Sequence, residues 1–258
     1  MSDQVQAEGA VLLLHGFGGE PFEMQGLARA FQAAGWESST PLLPGHGESL
    51  EALQRTGWND WVAAAEAEYL RMSEKYEKVF AAGLSMGGSL ALELAARHDP
   101  AGVIVIAAPV FLYRFYPWTA SDWRLPLVPL LKRFRPVWSA KPRNPESCEI
   151  APWKGYEDGI ALGPLESFML GLKALRGRLG EVTAPLLAMH CPEDETAPAG
   201  NAWEIAVNVS SRKRRIELLA IDEQVTGKHC LTTHVETCGR VEKLAVDFVR
   251  EISANVEG

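Results

Sequence analysis

The sequence predicts a single α/β domain built on a mostly parallel sheet with helices on both faces. Two observations predict it. Continuous apolar runs ending at small residues ("AVLLLHG", "KVFAAGLS", "AGVIVIAAP") alternate with helix-length amphipathic segments, which is the pattern of strands buried on both faces. The alternation stops after residue 110 and resumes near residue 181. Residues 1–110 and 181–258 therefore read as one core, with 111–180 as a helical insertion between two later strands. A chain of 258 residues has room for one large core of this kind.

In chain order, Ala10 to Gly16 is the first strand. A helix is expected over Pro21 to Ala34, with Pro21 at a first helical position, Leu27 and Phe31 one turn apart, and Gly35 at its end. "ESSTPLLPGHGES" holds a short strand and a turn-rich loop. Asn59 is the expected cap of a helix that puts Trp61, Ala65, Tyr69 and Met72 on one face. Lys78 to Ser85 is a strand, "MGGSLALELAARH" a helix ended by Pro100, and "AGVIVIAAP" the next strand. From Phe111 to Arg178 no strand signal stands out, and a helix is expected near Leu165 to Leu179. "APLLAMHC" and "RRIELLA" restore strand grammar before a last helix near Arg240 to Ile252.

Composition narrows the function classes. With 47% hydrophobic and 22% charged residues the chain is not a disordered or fibrous one. A net charge of −8 disfavours a duplex-binding surface, so no nucleic-acid partner is expected. Residues 1–10 show neither a basic start nor an apolar run, and the longest apolar stretch falls short of the roughly 18–20 residues that span a bilayer. The expected location is the cytoplasm. Cys148, Cys191, Cys230 and Cys238 show no metal-ligand spacing and read as free thiols; no metal or organic cofactor is expected. Between Phe111 and Asn144 the chain carries Arg114, Arg124, Lys132, Arg133, Arg135, Lys141 and Arg143 against one acid, Asp122, with Trp118, Trp123 and Trp138 among them. Solvated loops explain this; contact with anionic lipid surfaces is the sharper alternative.

"GLSMG" (Gly83 to Gly87) matches G-x-S-x-G between an apolar strand and a helix. At such a turn the residues two positions either side of the serine must be small, which leaves the Ser85 hydroxyl projecting above the sheet. A serine nucleophile needs a base, and the base needs an orienting acid. Asp194, in "PEDETAP" after a strand, and His229, in "TGKHCLT" before the last helix, complete the order serine, acid, histidine. Glu193 and Glu195 compete for the acid role, as do Asp222 and Glu223; His234 is the main rival base. Backbone N–H groups of Met86 and Phe17, the latter in "HGFGG", are the expected oxyanion donors.

"HGFGG", "PGHG", "GLSMGG", "PEDETAP" and "KHCLT" together resemble the α/β-hydrolase superfamily, and more narrowly its bacterial carboxylesterases and monoacylglycerol lipases with a small cap. The resemblance implies Ser85 as nucleophile, His229 as general base, Asp194 as orienting acid, and hydrolysis of short- to medium-chain acyl esters or monoacylglycerols. It implies that His46 of "PGHG" is structural. Lys228 departs from the small polar residue common before the histidine. Phe168, Met169 and Leu172 are expected on the pocket wall, a small-molecule ester as partner, and a monomer or homodimer. A carbon–carbon bond hydrolase, a thioesterase and a non-catalytic binding homologue share the scaffold.

Overall fold

The computed structural model describes residues 9–116, 118–140 and 142–254. Residues 1–8, where no leader is expected, and Lys141 of the basic stretch lie outside the described residues.

Strand β1 (Ala10–Leu14) leads through a 3-10 turn begun by Pro21 into α1 (Gln25–Ala33). After β2 (Glu37–Ser39) comes α2 (Leu50–Gln54), a helix the sequence reading did not anticipate; the Ser49 hydroxyl caps it, accepting from Ala52 N–H at 3.1 Å. The cap expected at Asn59 is corrected. Helix α3 (Trp58–Ser73) starts two residues earlier, because Gly57 is its cap and Asp60 accepts the Gly57 N–H at 2.9 Å. Then follow β3 (Val79–Leu84), α4 (Met86–His98) and β4 (Gly102–Ile106).

The segment after β4 is not purely helical. Strands β5 (Tyr113–Phe115) and β6 (Trp118–Ala120) form one antiparallel pair. Past α5 (Val128–Leu131), β7 (Val137–Ser139) awaits its partner across α6 (Pro145–Ile150): β8 (Gly159–Ala161) completes a second antiparallel pair. At three residues each, these strands are too short for a period-two alternation to register in sequence. The 17-residue α7 (Leu162–Arg178) closes the segment. It lies against the main body: Ser167 Oγ accepts the Trp58 N–H at 3.0 Å, and Arg178 pairs with Glu93 of α4 at 2.7 Å.

The chain ends with β9 (Leu186–His190), α8 (Gly200–Asn208), β10 (Arg214–Leu218) and α9 (Cys238–Ala254). Six parallel strands lie in the order β10-β9-β4-β3-β1-β2. Alternate strand residues serve opposite cores. Leu12, Leu14, Ala81, Val103 and Leu186 face the side of α3, α4, α7 and α8, whereas Val11, Leu13, Phe80, Ile104 and Leu187 face α1 and α9. Both faces being covered explains why the strands read as unbroken apolar runs. The chain steps from β1 outward to β2 and then back across β1 to β3. Such a reversal opens a crevice at the carboxyl ends of the two central strands, and the segments leaving β1 and β3 are "HGFGG" and Ser85. Among the described residues no helix is long and apolar enough to cross a membrane.

Candidate active site

Ser85 stands alone between β3 and α4, with φ 53° and ψ −120°. Its N–H bonds to Ile106 O at 2.8 Å, which ties it to β4. The glycines on either side make the turn possible. A Cβ on Gly83 would lie 2.2 Å from the Gly87 carbonyl carbon, and one on Gly87 would lie 2.0 Å from Leu14 O. Strand, helix and the end of β1 therefore meet backbone to backbone, and the serine side chain turns outward. The amino end of α4 directs its unpaired N–H groups at the same point.

Gly16 lies beside the serine, since a Cβ built on it would come within 3.5 Å of Ser85 Cβ. The next amide is that of Phe17. Among the described residues the N–H groups of Phe17 and Met86 donate to no other residue. The Phe17 ring stacks on Phe168 of α7, with centroids 5.9 Å apart. His15 braces the loop from within: its Nδ1–H donates to Gly16 O at 2.9 Å and its Nε2 accepts the Leu43 N–H at 3.1 Å. Burial and the neighbouring His46 push the His15 pKa down to about 3, so the ring is neutral.

His229 and Asp194 meet directly, Nδ1 to Oδ2, at 2.7 Å. The other carboxylate oxygen accepts the N–H groups of Thr196 and Ala197 at 2.8 and 2.9 Å, and His190 Nε2 lies 3.4 Å from Oδ2. Burial opposes charge on Asp194. The His229 ring, His190 and the Ala197 N–H outweigh burial and hold the carboxyl well below the usual range. For His229, burial disfavours the charged ring, but Asp194, and Glu23 beyond it, raise its pKa. The acid and base loops are joined by Glu195 N–H to Gly227 O at 3.0 Å.

The rival groups are placed elsewhere. His234 is fully buried, pairing through Nε2 with Glu223 at 3.1 Å and accepting the Glu236 N–H at 3.1 Å through Nδ1. Glu223 also accepts the Val225 and Thr226 N–H groups, so both residues brace the loop that carries His229. Asp222 offers its N–H to Glu236. Glu193 is exposed, and Glu195 stands at the cavity rim. His46 packs edge-on against His15 and Trp61, and His98 pairs with Glu66 on the far side of α4. Lys228, at φ 54°, buries its ammonium against Ile221 O at 3.0 Å, so the departure from a small polar residue here is a structural tether. The four cysteines are free; burial first, and then nearby Glu23, push the Cys230 thiol up to about 12.

A cavity of about 560 Å³ brings Ser85, His229, Gly16 and Phe17 together. Its apolar side is formed by Leu112, Leu125, Trp138, Ile160, Leu165 and Phe168, its polar side by Glu23, Arg143, Trp153 and Lys228. Of the expected wall residues only Phe168 reaches it. Met169 and Leu172 are corrected: Leu172 is buried between α7 and the main body and Met169 packs on the same core. The face of α7 that meets the cavity is set by Leu165 and Phe168, three residues apart. Trp138 lines the cavity with the Arg124 guanidinium 4.5 Å from its ring, while Trp118 and Trp123 are exposed. Glu23 went unrecognised in the sequence, although a signal existed: it stands four residues before Leu27 and eight before Phe31, on the buried face of its helix. Among the described residues no cluster of His, Cys, Asp and Glu suits a metal ion.

The chain is similar to several known proteins. Residues 5–221 match the family model for serine aminopeptidase, S33. The chain is 33% identical over 207 residues to the thermostable monoacylglycerol lipase of Bacillus sp. strain H-257, covering 80% of this chain and 78% of that protein. It is 38% identical over 105 residues to a carboxylesterase of Bacillus subtilis, spanning 40% of this chain and 42% of that one. Its fold is shared with a soluble variant of the monoglyceride lipase of Saccharomyces cerevisiae, at a TM-score of 0.80 and 16% identity over 98% of this chain and 89% of the other.

Proposed function

The chain belongs to the serine aminopeptidase S33 family, a group of α/β-hydrolases, and from that premise we propose that it is a carboxylic ester hydrolase. Its substrates are short- to medium-chain acyl esters or monoacylglycerols, cleaved through Ser85, His229 and Asp194. The observation that carries the reading is the meeting, in one cavity, of a serine held at positive φ and a histidine whose far nitrogen is bonded to a buried carboxylate.

Ser85 Oγ attacks the ester carbonyl carbon as His229 Nε2 takes its proton, and the carbonyl oxygen becomes an oxyanion facing the Phe17 and Met86 N–H groups. The C–O bond to the alcohol then breaks, and His229 returns the proton to the departing oxygen. Water, deprotonated by the same ring, attacks the acyl-enzyme and releases the acid and free Ser85. Asp194 fixes the Nδ1–H tautomer and stabilises the imidazolium. Residues 111–180 act as a cap whose apolar wall takes the acyl chain, leaving the polar side for the alcohol.

Rapid mixing with p-nitrophenyl esters of increasing acyl length should give a burst of one p-nitrophenol per enzyme, with an acyl adduct on Ser85 by mass spectrometry. Parallel assays on monoacylglycerols fix the chain-length optimum. Turnover without any adduct on Ser85, or turnover confined to carbon–carbon substrates, would overturn the reading.

The cap also suggests weak contact with anionic lipid. Phe115, Tyr116, Trp118, Trp123 and Phe134 are exposed there, close in sequence to the exposed cations Arg133 and Arg135. Co-sedimentation with phosphatidylglycerol vesicles should exceed that with phosphatidylcholine vesicles and fall in Trp118→Ser/Trp123→Ser. Equal sedimentation with both lipids would remove the lipid role.

A further inference from the structure

Glu23 is a carboxyl group only 2% exposed, beneath the loop that leaves β1, on the wall of the cavity that also holds Ser85 and His229. Its Oε2 accepts the Gly16 N–H at 2.7 Å. Gly16 is held between this carboxyl and the serine: a Cβ built there would stand 3.3 Å from Glu23 Oε2 and 3.5 Å from Ser85 Cβ. The turn closes through Gly19 N–H to Gly16 O at 3.2 Å, and a Cβ on Gly19 would lie 2.4 Å from Glu23 Oε1. The carboxyl therefore fills the inside of the Gly16–Gly19 turn. The cap reaches the same point. Trp153 stands beside Glu23 on the cavity wall, Gly155 bridges Gly19, and Tyr156 N–H donates to Gly18 O at 3.1 Å.

We propose that Glu23 is the positioning residue that sets the Phe17 N–H against the reacting carbonyl, and that it does so as an uncharged acid. The inference rests on the acyl-transfer reading above. A charged carboxylate at this place would oppose the negative charge that develops on the carbonyl oxygen, in surroundings poor in water. The groups that face Glu23 are Glu20 on its own turn and His229 and Cys230 on the loop before α9; Arg143 of the cap lines the same cavity, with its guanidinium hydrogen-bonded to Ser147 O at 3.3 Å and Ala151 O at 2.7 Å. Burial, the largest influence, pushes its pKa up to about 7, against the Gly16 N–H, Trp153 and His229, which pull it down. Ionised Glu23 would also raise the His229 pKa and so disfavour the neutral ring that accepts the serine proton. Both effects act in the same direction on the rate.

The test compares wild type, Glu23→Gln and Glu23→Ala over pH 5–9, following the kcat of a p-nitrophenyl ester and Tm. Wild type should rise through the His229 ionisation and fall again as Glu23 ionises near neutral pH. Glu23→Gln, which keeps an acceptor for Gly16 but does not ionise, should lack the alkaline fall. Glu23→Ala should lose about 10²-fold in kcat, the scale of one oxyanion donor, with KM changed by less than about threefold. Stability supplies an independent reading. A carboxyl whose pKa is raised from 4.5 in the unfolded chain to about 7 in the fold loses stability as pH climbs through that window. The Tm advantage of Glu23→Gln over wild type should therefore be absent below that window, grow across it, and level off above. An alkaline limb unchanged in Glu23→Gln, or a kcat as low in Glu23→Gln as in Glu23→Ala, overturns the proposal even where Tm moves. Wild type that acylates Ser85 while these variants behave otherwise refutes the role of Glu23 alone; wild type that never acylates Ser85 refutes the ester-hydrolase reading instead.

Discussion

Ser85→Ala is expected to lower kcat by about 10⁶-fold on any ester the wild type turns over, with the fold intact. The size follows from what the substitution removes. On the proposed mechanism no acyl-enzyme forms without Oγ, and water must attack directly with only the Phe17 and Met86 amides and the cavity to assist it. His229→Ala should cost nearly as much, and the double variant little more than either single one, because a nucleophile without its base and a base without its nucleophile are equally idle. Thermal unfolding should scarcely change in Ser85→Ala, since alanine occupies φ 53° no less readily than serine and the N–H bond to Ile106 O is retained. Ester kinetics of the three proteins, with Tm for each, checks this; multiplicative losses in the double variant would show that the two residues act in separate steps.

Gly87→Ala should damage fold and chemistry together. In an open helix the change to alanine stabilises by about 1 kcal/mol. Here the added Cβ would stand 2.0 Å from Leu14 O and 2.7 Å from His15 O, both rigid main-chain atoms. Helix α4 must lift away from β1. Overpacking of this kind costs about 3 kcal/mol, or roughly 10 °C in Tm for a chain of this size. The same movement carries the Met86 N–H away from the Gly16–Phe17 loop, so kcat should fall by about 10²-fold as well. Gly177→Ala in α7, where a Cβ meets nothing within 4 Å, is the control and should leave Tm equal or higher. Differential scanning calorimetry and kcat on both variants decide the matter.

The parts of the molecule legible in sequence are those where one short stretch fixes both shape and chemistry. Gly83, Ser85 and Gly87 are such a stretch, because the turn's sterics are written in the residue types themselves. The four central strands were legible for a related reason: apolar side chains on both faces leave no polar position to blur the run from Ala10 to Leu14 or from Gly102 to Ile106. Pocket lining was not legible. Leu165, Phe168 and Leu172 share one helix, yet the first two face the cavity and the third faces the core, a difference set by how α7 leans on Trp58 and Glu93 rather than by hydrophobicity. Glu23 was missed because an acid in a first helical turn has an ordinary explanation, interaction with the helix dipole. Its spacing to Leu27 and Phe31 hints at the buried face, but only the fold shows that it meets Gly16.

Three of the four non-glycine residues with positive φ among the described residues sit around the reacting centre: Ser85 after β3, Ala107 after β4, and Lys228 next to His229. Each such backbone costs about 1–3 kcal/mol that the rest of the fold must offset. The sheet does so through bonds that clamp these positions, Ser85 N–H to Ile106 O and Ala107 N–H to Met189 O, both 2.8 Å. The proposed reacting centre thus lies on a tensioned seam at the end of the sheet. Engineering this protein for endurance by relaxing that seam and preserving its chemistry are opposed aims; durability has to be sought in the helices and the cap.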